Sequence, residues 1–369
     1  MKILKNFHFT NLLEKTMFRG EKMKKVKWGV IGCGGIADRR TIPGMMGAKN
    51  AELIAVMDSN RDSSERVKEK YGAKYAFTSE EELLALDEID AVYIASPVFC
   101  HMQQVTMAVK AKKHILLEKP MGLDVKEAEK IASICETEGV KLSVGLMMRF
   151  AAYHQKLHEL ILEGMLGEIV SARAQFTCWF PEMENNWRQQ KHLSGGGALM
   201  DLGVHSIDLL RYITGLEVTE IAGMTSNQIF KYGVEDAGSV IMRLSNGAVA
   251  YVDSNFNVPD SASVSKFEIY GTKGSVVLYN TLSQVDGGEI EMILSDDSVG
   301  YDAMQKREDT KTEDIKVQFG NMYTREIEAF GNAILEDKEV YISAEDAICT
   351  QKIVEAAYES SKKGKFIKV

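Results

Sequence analysis

From residue 25 to about 145, short apolar runs alternate with longer stretches of helical period. The runs lie at Val26–Ile31, 53–57, 91–95, His114–Leu117 and Leu142–Val144. The helical stretches cover 36–47, 63–71, 79–86, 101–112 and 124–139, and Ser79-Glu80-Glu81-Glu82 has the form of a capping box at one helix start. Strands that alternate with helices predict βαβ units and a parallel sheet. Burial on both faces explains why the strand runs are apolar throughout.

After about residue 146 the texture changes. Helical patterns at 153–163 and 198–213 frame a strand series at 169–179, 218–229, Ala237–Leu244, 248–256, 264–270 and 275–279. Ser245-Asn246-Gly247 and Gly271-Thr272-Lys273-Gly274 mark turns between the later strands. Helices at 323–336 and 344–362 close the chain, and the charged stretch 296–316 reads as a surface loop. The fold class predicted is α/β: an N-terminal Rossmann dinucleotide-binding domain over 23–145, then an α+β domain over 146–369 with a large, mostly antiparallel open sheet. A length of 369 residues suits two domains.

Composition narrows the picture. The net charge of −9 gives no electrostatic reason to expect nucleic acid or an anionic membrane as partner. Cys33, Cys100, Cys135, Cys178 and Cys349 are odd in number and contain no C-x-x-C pair, which favours reduced thiols in a cytoplasmic protein. No apolar run approaches the roughly 18 residues that span a bilayer. Residues 1–22 are mixed and basic and lack the apolar core of a signal peptide. They read either as an arm ahead of a natural start at Met23 or as a helix packed on the surface; N-terminal sequencing of the native protein separates the two.

The candidate chemistry begins at Gly32-Cys33-Gly34-Gly35-Ile36-Ala37, a G-x-G-x-x-A pattern that follows a strand and opens a helix. Gly32 allows the tight turn, Gly34 lets the backbone approach a pyrophosphate, and Ala37 permits close helix–strand packing. Asp58, 21 residues after Ala37 (58 − 37), stands where a carboxylate grips ribose hydroxyls. That carboxylate would repel a 2′-phosphate, so NAD is preferred; Arg61 keeps NADP open.

Lys119 follows the run His114–Leu117 and precedes Pro120, at the carboxyl end of a strand, where open α/β sheets bind ligands. Gly195-Gly196-Gly197 then launches a helix with Asp201 and His205 four residues apart, on one face. In this reading His205 is the base for a hydroxyl proton, Lys119 stabilises the developing alkoxide, and Asp201 orients His205 or holds a substrate hydroxyl. Asp-x-x-x-His supplies only two metal ligands. His192 and Asp208 are the nearest further donors, and no metal is expected.

These residues resemble the glucose–fructose oxidoreductase and inositol dehydrogenase (Gfo/Idh/MocA) family, from about residue 25 to the C-terminus. The resemblance rests on the Gly32–Ala37 fingerprint with Asp58, Ser96-Pro97, Glu118-Lys119-Pro120, Trp187-Arg188, the 195–203 glycine block with His205, and Gly271-Thr272-Lys273-Gly274. It implies NAD or NADP, a sugar, polyol or inositol-like substrate, Lys119, Asp201 and His205 as the catalytic set, and a cis bond before Pro120. It further implies that the open sheet forms a homodimer or homotetramer interface. Ser96, Pro97, His101 and Glu118 join the glycine turn as candidate cofactor contacts. Arg149, Tyr153, Trp187 and Arg188 join Asp201 and His205 as candidate substrate contacts, while Trp179 is assigned to domain packing. Two positions depart from the family: Val98 stands where many members carry an Asn that contacts the cofactor, and Ala151 where a proline is frequent.

The leading reading is thus an NAD(P)-dependent sugar or polyol oxidoreductase. A nucleotide-dependent sugar-sensing regulator has no need of all three catalytic side chains. A redox-assisted glycosidase would cleave glycosides with no net change in NAD.

Overall fold

The computed structural model describes residues 24–295, 303–304 and 310–369, so the expectations for residues 1–22 lie outside the described residues. Six apolar runs form one parallel sheet: β1 Val26–Ile31, β2 Ala51–Met57, β3 Tyr75–Phe77, β4 Ala91–Ile94, β5 His114–Leu117 and β6 Leu142–Val144, in the order β3-β2-β1-β4-β5-β6. The order reverses between β1 and β4, which opens a crevice at the carboxyl ends of those strands. β3 had no signal of its own, because three half-buried residues are too short to show a period.

The helices on this sheet are α1 Ile42–Gly47, α2 Arg61–Tyr71, α3 Glu80–Leu84, α4 His101–Lys110 and α5 Val125–Thr137. The expected single helix over 36–47 is instead a π turn, Ala37–Thr41, running into α1. Pro43 lacks the N–H that an unbroken helix would donate to Arg39, and the chain widens ahead of it. Asn60, Ser79 and Asp124 cap α2, α3 and α5 with side-chain oxygens.

The second half supplies α6 Ala152–Leu162, β7 Ile169–Thr177, α7 Lys191–Ser194, α8 Val204–Thr214, β8 Val218–Ser226, β9 Ala237–Leu244, β10 Val249–Asn255, β11 Lys266–Gly271, β12 Gly274–Tyr279, β13 Glu289–Ser295, β14 Thr310–Glu313, α9 Met322–Leu335, α10 Ala344–Lys363 and β15 Ile367–Lys368. Its nine strands run β14-β13-β12-β11-β7-β10-β9-β8-β15. All pairs are antiparallel except β7 with β10. α8 and α10 cover one face, and exposed Val170, Arg173 and Tyr251 lie along the other. Three strands were not expected. β14 falls within the charged stretch read as a loop, and its four residues, which pair with β13, are all exposed, so no hydrophobic pattern announces it. Residues 296–302 and 305–309 of that stretch lie outside the described residues.

The chain halves are not packed independently. α9 returns to the parallel sheet, where Phe330 meets Trp28 at 5.8 Å between ring centres and Thr324 Oγ1 donates to Gly44 O at 2.8 Å. The return of α9 brings Tyr323 to the cavity wall and the Glu326 carboxyl within electrostatic reach of Glu118.

Candidate active site

The glycine turn is built to receive backbone-close ligands. Gly32 sits at φ 79, and a Cβ there would meet Ser96 N at 2.7 Å. A Cβ on Gly34 would press on Asp58 Oδ2 at 3.1 Å, while Gly35 at φ 25 faces open space. Gly34 N donates to Asp58 Oδ2 (3.1 Å) and Asn60 N to Oδ1 (3.0 Å), so the carboxylate at the end of β2 lies against the turn. A free glycine edge, an aimed carboxylate and the start of a helix are the donors and acceptors a dinucleotide needs, and the residues fit NAD(P). Arg61 is exposed on the first turn of α2.

Beside the turn, a cavity of about 570 Å³ opens between the two sheets, lined by Ile36, Ser96, Glu118, Lys119, Trp187, Arg188, Asp201 and His205 among others. Lys119 comes from the segment after β5, and the Lys119–Pro120 bond is cis. Its Nζ donates to Asp201 Oδ1 at 2.6 Å and to Asp201 O at 2.8 Å, joining the two halves of the molecule. Burial works to raise the Asp201 carboxyl, but the charges of Lys119 and Arg188 overcome it and hold the group down to about 2. The Asp201 carboxylate therefore stays ionised at neutral pH.

Asp201 does not orient His205 as its spacing suggested. The expected helix over 198–213 begins as a π turn, Leu199–Gly203, before α8. In a π turn hydrogen bonds link residues five apart, so a four-residue spacing no longer stacks two side chains. The Asp201 carboxylate swings to Lys119 instead. His205 lines the cavity with a buried Nδ1 that makes no hydrogen bond to protein. Burial first, then the Lys119 charge, push the imidazole down to about 3, against the smaller pull of Asp201. It is neutral at physiological pH and holds a proton poorly.

Glu118 sits behind Lys119, where burial raises its carboxyl. Tyr93 donates to it at 2.5 Å and receives Thr41 Oγ1 at 2.9 Å. Glu326, 3% exposed, and Tyr323, whose hydroxyl makes no protein hydrogen bond, complete this buried acidic layer. Neither was legible in the sequence, because helix α9 lies two hundred residues from β5 and carries no motif. Arg39 and Arg40 also line the cavity; their position directly after the fingerprint was the available signal.

Several predicted contacts fall elsewhere. Arg149 forms a buried fork with Asp208, Nε to Oδ2 at 2.9 Å and Nη2 to Oδ1 at 2.6 Å, and is absent from the cavity wall. The pairing satisfies both buried charges and removes Asp208 as a metal donor. Tyr153 packs edge-on against Phe319 rather than on the cavity, and His192 is exposed. His101 lies behind the crevice, its nitrogens 3.1 Å from Ser96 O and 3.3 Å from Met121 O, so it braces the loop carrying Pro97 instead of touching a cofactor. Burial lowers it to about 4. Trp187 supports Arg188, whose guanidinium lies 4.4 Å over the indole ring. Trp179 packs on Phe230 within its own domain. Among the described residues no three His, Cys, Asp or Glu side chains cluster closely enough to hold a metal, and no helix is long and apolar enough to cross a membrane.

Known proteins resemble this chain in sequence and in fold. Residues 26–146 match the family model described as oxidoreductase family, NAD-binding Rossmann fold (Gfo/Idh/MocA), and residues 158–369 match that of its C-terminal alpha/beta domain. The chain is 29% identical over 267 residues to 1,5-anhydro-D-fructose reductase of Ensifer adhaerens, covering 72% of this chain and 79% of that one. It is 32% identical over 262 residues to glucose-6-phosphate 3-dehydrogenase of Bacillus subtilis, covering 68% and 73%. The fold superimposes on the aldose-aldose oxidoreductase of Caulobacter crescentus with a TM-score of 0.82 at 23% identity, over 94% of this chain and all of that one.

Proposed function

The chain belongs to the Gfo/Idh/MocA oxidoreductase family, and from that premise we propose that it moves a hydride between NAD(P) and a carbon bearing a hydroxyl or keto group on a sugar or polyol. The observation that carries this reading is the Lys119–Asp201 pair, 2.6 Å apart inside the cavity at the open end of the parallel sheet. Two of the relatives that match are a 1,5-anhydro-D-fructose reductase and a glucose-6-phosphate 3-dehydrogenase.

Bound NAD(P) supplies the hydride acceptor or donor. The Gly32–Ala37 turn and Asp58 hold its dinucleotide frame, with Ile36, Ser96 and Glu118 along the rim of the reacting end. Asp58 favours NAD, since a 2′-phosphate beside its carboxylate meets like charge. Lys119 is the group for the reacting oxygen. In the direction of reduction its ammonium donates a hydrogen bond, then a proton, to the carbonyl oxygen; in oxidation the neutral amine takes that proton back from the hydroxyl. Asp201 aims the Lys119 side chain. Neutral His205 accepts the hydrogen bond of the substrate hydroxyl and fixes its direction without storing the proton. Arg188, held on Trp187, contacts the substrate from the cavity wall.

The test is absorbance of NADH and NADPH with purified protein and a panel of aldoses, ketoses, inositols, sugar acids and sugar phosphates. Turnover with one sugar class, faster with NADH, is expected. Silence across the panel, with a chromogenic glycoside cleaved in its place, would sink the reading.

A further inference from the structure

The helix that carries Asp201 has no cap of its own. Ala198 is its N-cap and no side-chain bond closes it, so the first N–H groups need acceptors from elsewhere. One residue supplies them. Glu235, in the loop between β8 and β9, accepts Gly197 N at Oε2 (3.0 Å) and Leu199 N at Oε1 (3.0 Å), and its own carbonyl accepts Ala198 N at 3.1 Å. Tyr358 of α10 donates to the same carboxylate at 2.7 Å. The contact is close on every side: a Cβ on Gly197 would lie 2.0 Å from Glu235 O, and one on Gly196 would lie 2.1 Å from Tyr358 Oη.

The loop that holds Glu235 is itself pinned. The Asp236 carboxylate accepts Gln228 N, Ile229 N and Phe230 N, each at 2.8 Å. Gly233 N donates to Gln189 O at 2.9 Å, which ties the loop to the turn bearing Trp187 and Arg188. A charge at a helix N-terminus also lies along the favourable direction of the helix dipole. Two turns of backbone, one with Arg188 and one with Asp201, are thus referred to the same rigid loop.

We propose that Glu235 is a positioning residue for hydride transfer. Its carboxylate, held by Tyr358, fixes the start of the π turn and so sets Asp201 against Lys119 across the two halves of the molecule. This rests on the reading of Lys119 and Asp201 as the pair at the reacting oxygen. Glu235 stands outside the cavity wall and touches no reacting group.

Glu235→Gln tests it. The amide offers one oxygen where the carboxylate offers two, so either Gly197 N or Leu199 N faces a donor. A shift of about 1 Å at Asp201 costs on the order of 100-fold in turnover. The expected result is a fall in kcat of about 10- to 100-fold, an unchanged affinity for NADH by fluorescence titration, and a pH profile of kcat/KM displaced by about half a unit or more. Tyr358→Phe leaves the two backbone bonds in place and should give a smaller fall of the same kind, which keeps the test open if the first variant fails to fold. The crystal structure of either folded variant reports the Lys119–Asp201 separation without any turnover. A separation beyond hydrogen-bond range supports the proposal. A separation still at 2.6 Å, or an unmoved pH profile with only a lower melting temperature, overturns it. If the unaltered protein turns over no sugar, the dehydrogenase reading fails, and the crystallographic separation still decides the role of Glu235.

Discussion

Lys119, Asp201 and His205 carry different chemistry once their surroundings are known. The sequence placed all three in one site, because Glu118-Lys119-Pro120 and the glycine block are dense local signals. It could not show that Asp201 pairs with Lys119, since that contact joins residues 82 apart in the chain. The same limit hid Glu326, whose buried carboxyl lies near Glu118 and is raised well above its ordinary value by burial and by that neighbour. Its sign is definite. A carboxyl with a raised folded-state pKa contributes its stability below the unfolded value and loses it as pH rises toward the folded value, because only the unfolded chain ionises freely in that window. Glu326→Gln, which mimics the protonated form, should therefore gain stability over the native protein as pH rises from 5 to 8. Denaturant unfolding at both pH values checks it. A constant difference between the two would show that Glu326 ionises in the fold as it does in water.

At the scale of elements, the strongly periodic segments were legible to within a few residues, and the irregular ones were not. Both π turns lie beside the proposed site, Ala37–Thr41 after the glycine turn and Leu199–Gly203 at Asp201, and each reads in sequence as an unbroken helix. The hydrophobic period barely changes over one widened turn, so only the backbone reveals it. β14 and β15 were equally silent, being short, exposed edge pieces held by main-chain bonds. The glycine block was visible as composition, but the reason for it is tertiary. Gly197 is a glycine because Glu235 O fills the space of its side chain. Gly197→Ala should cost about 1–3 kcal/mol in denaturant unfolding and lower turnover with it. A neutral substitution would mean that the turn yields freely and is not what fixes Asp201.

Across the whole molecule, the site exists only where the two chain halves meet. The parallel sheet delivers Lys119 and the nucleotide turn; the nine-stranded sheet and its helices deliver Asp201, His205 and Arg188. α9 crosses back to bury Trp28 and places Tyr323 on the cavity wall. The sequence predicted this division, because the change from strand–helix alternation to an antiparallel series is a long-range pattern. It misplaced Arg149, since a charged residue near a glycine-rich crevice reads the same whether it faces substrate or pairs with a buried Asp208. The central claim is that Lys119 acts on the reacting oxygen while the rest of the cleft binds. The most direct measurement compares Lys119→Ala with the native protein on whichever sugar is turned over, recording kcat/KM beside the dissociation constant for NADH. Loss of a protonating and charge-stabilising group predicts a fall of at least about 1,000-fold in kcat/KM with NADH affinity within about twofold. A variant that retains near-normal turnover would contradict the account, however well the fold and the cofactor site survive.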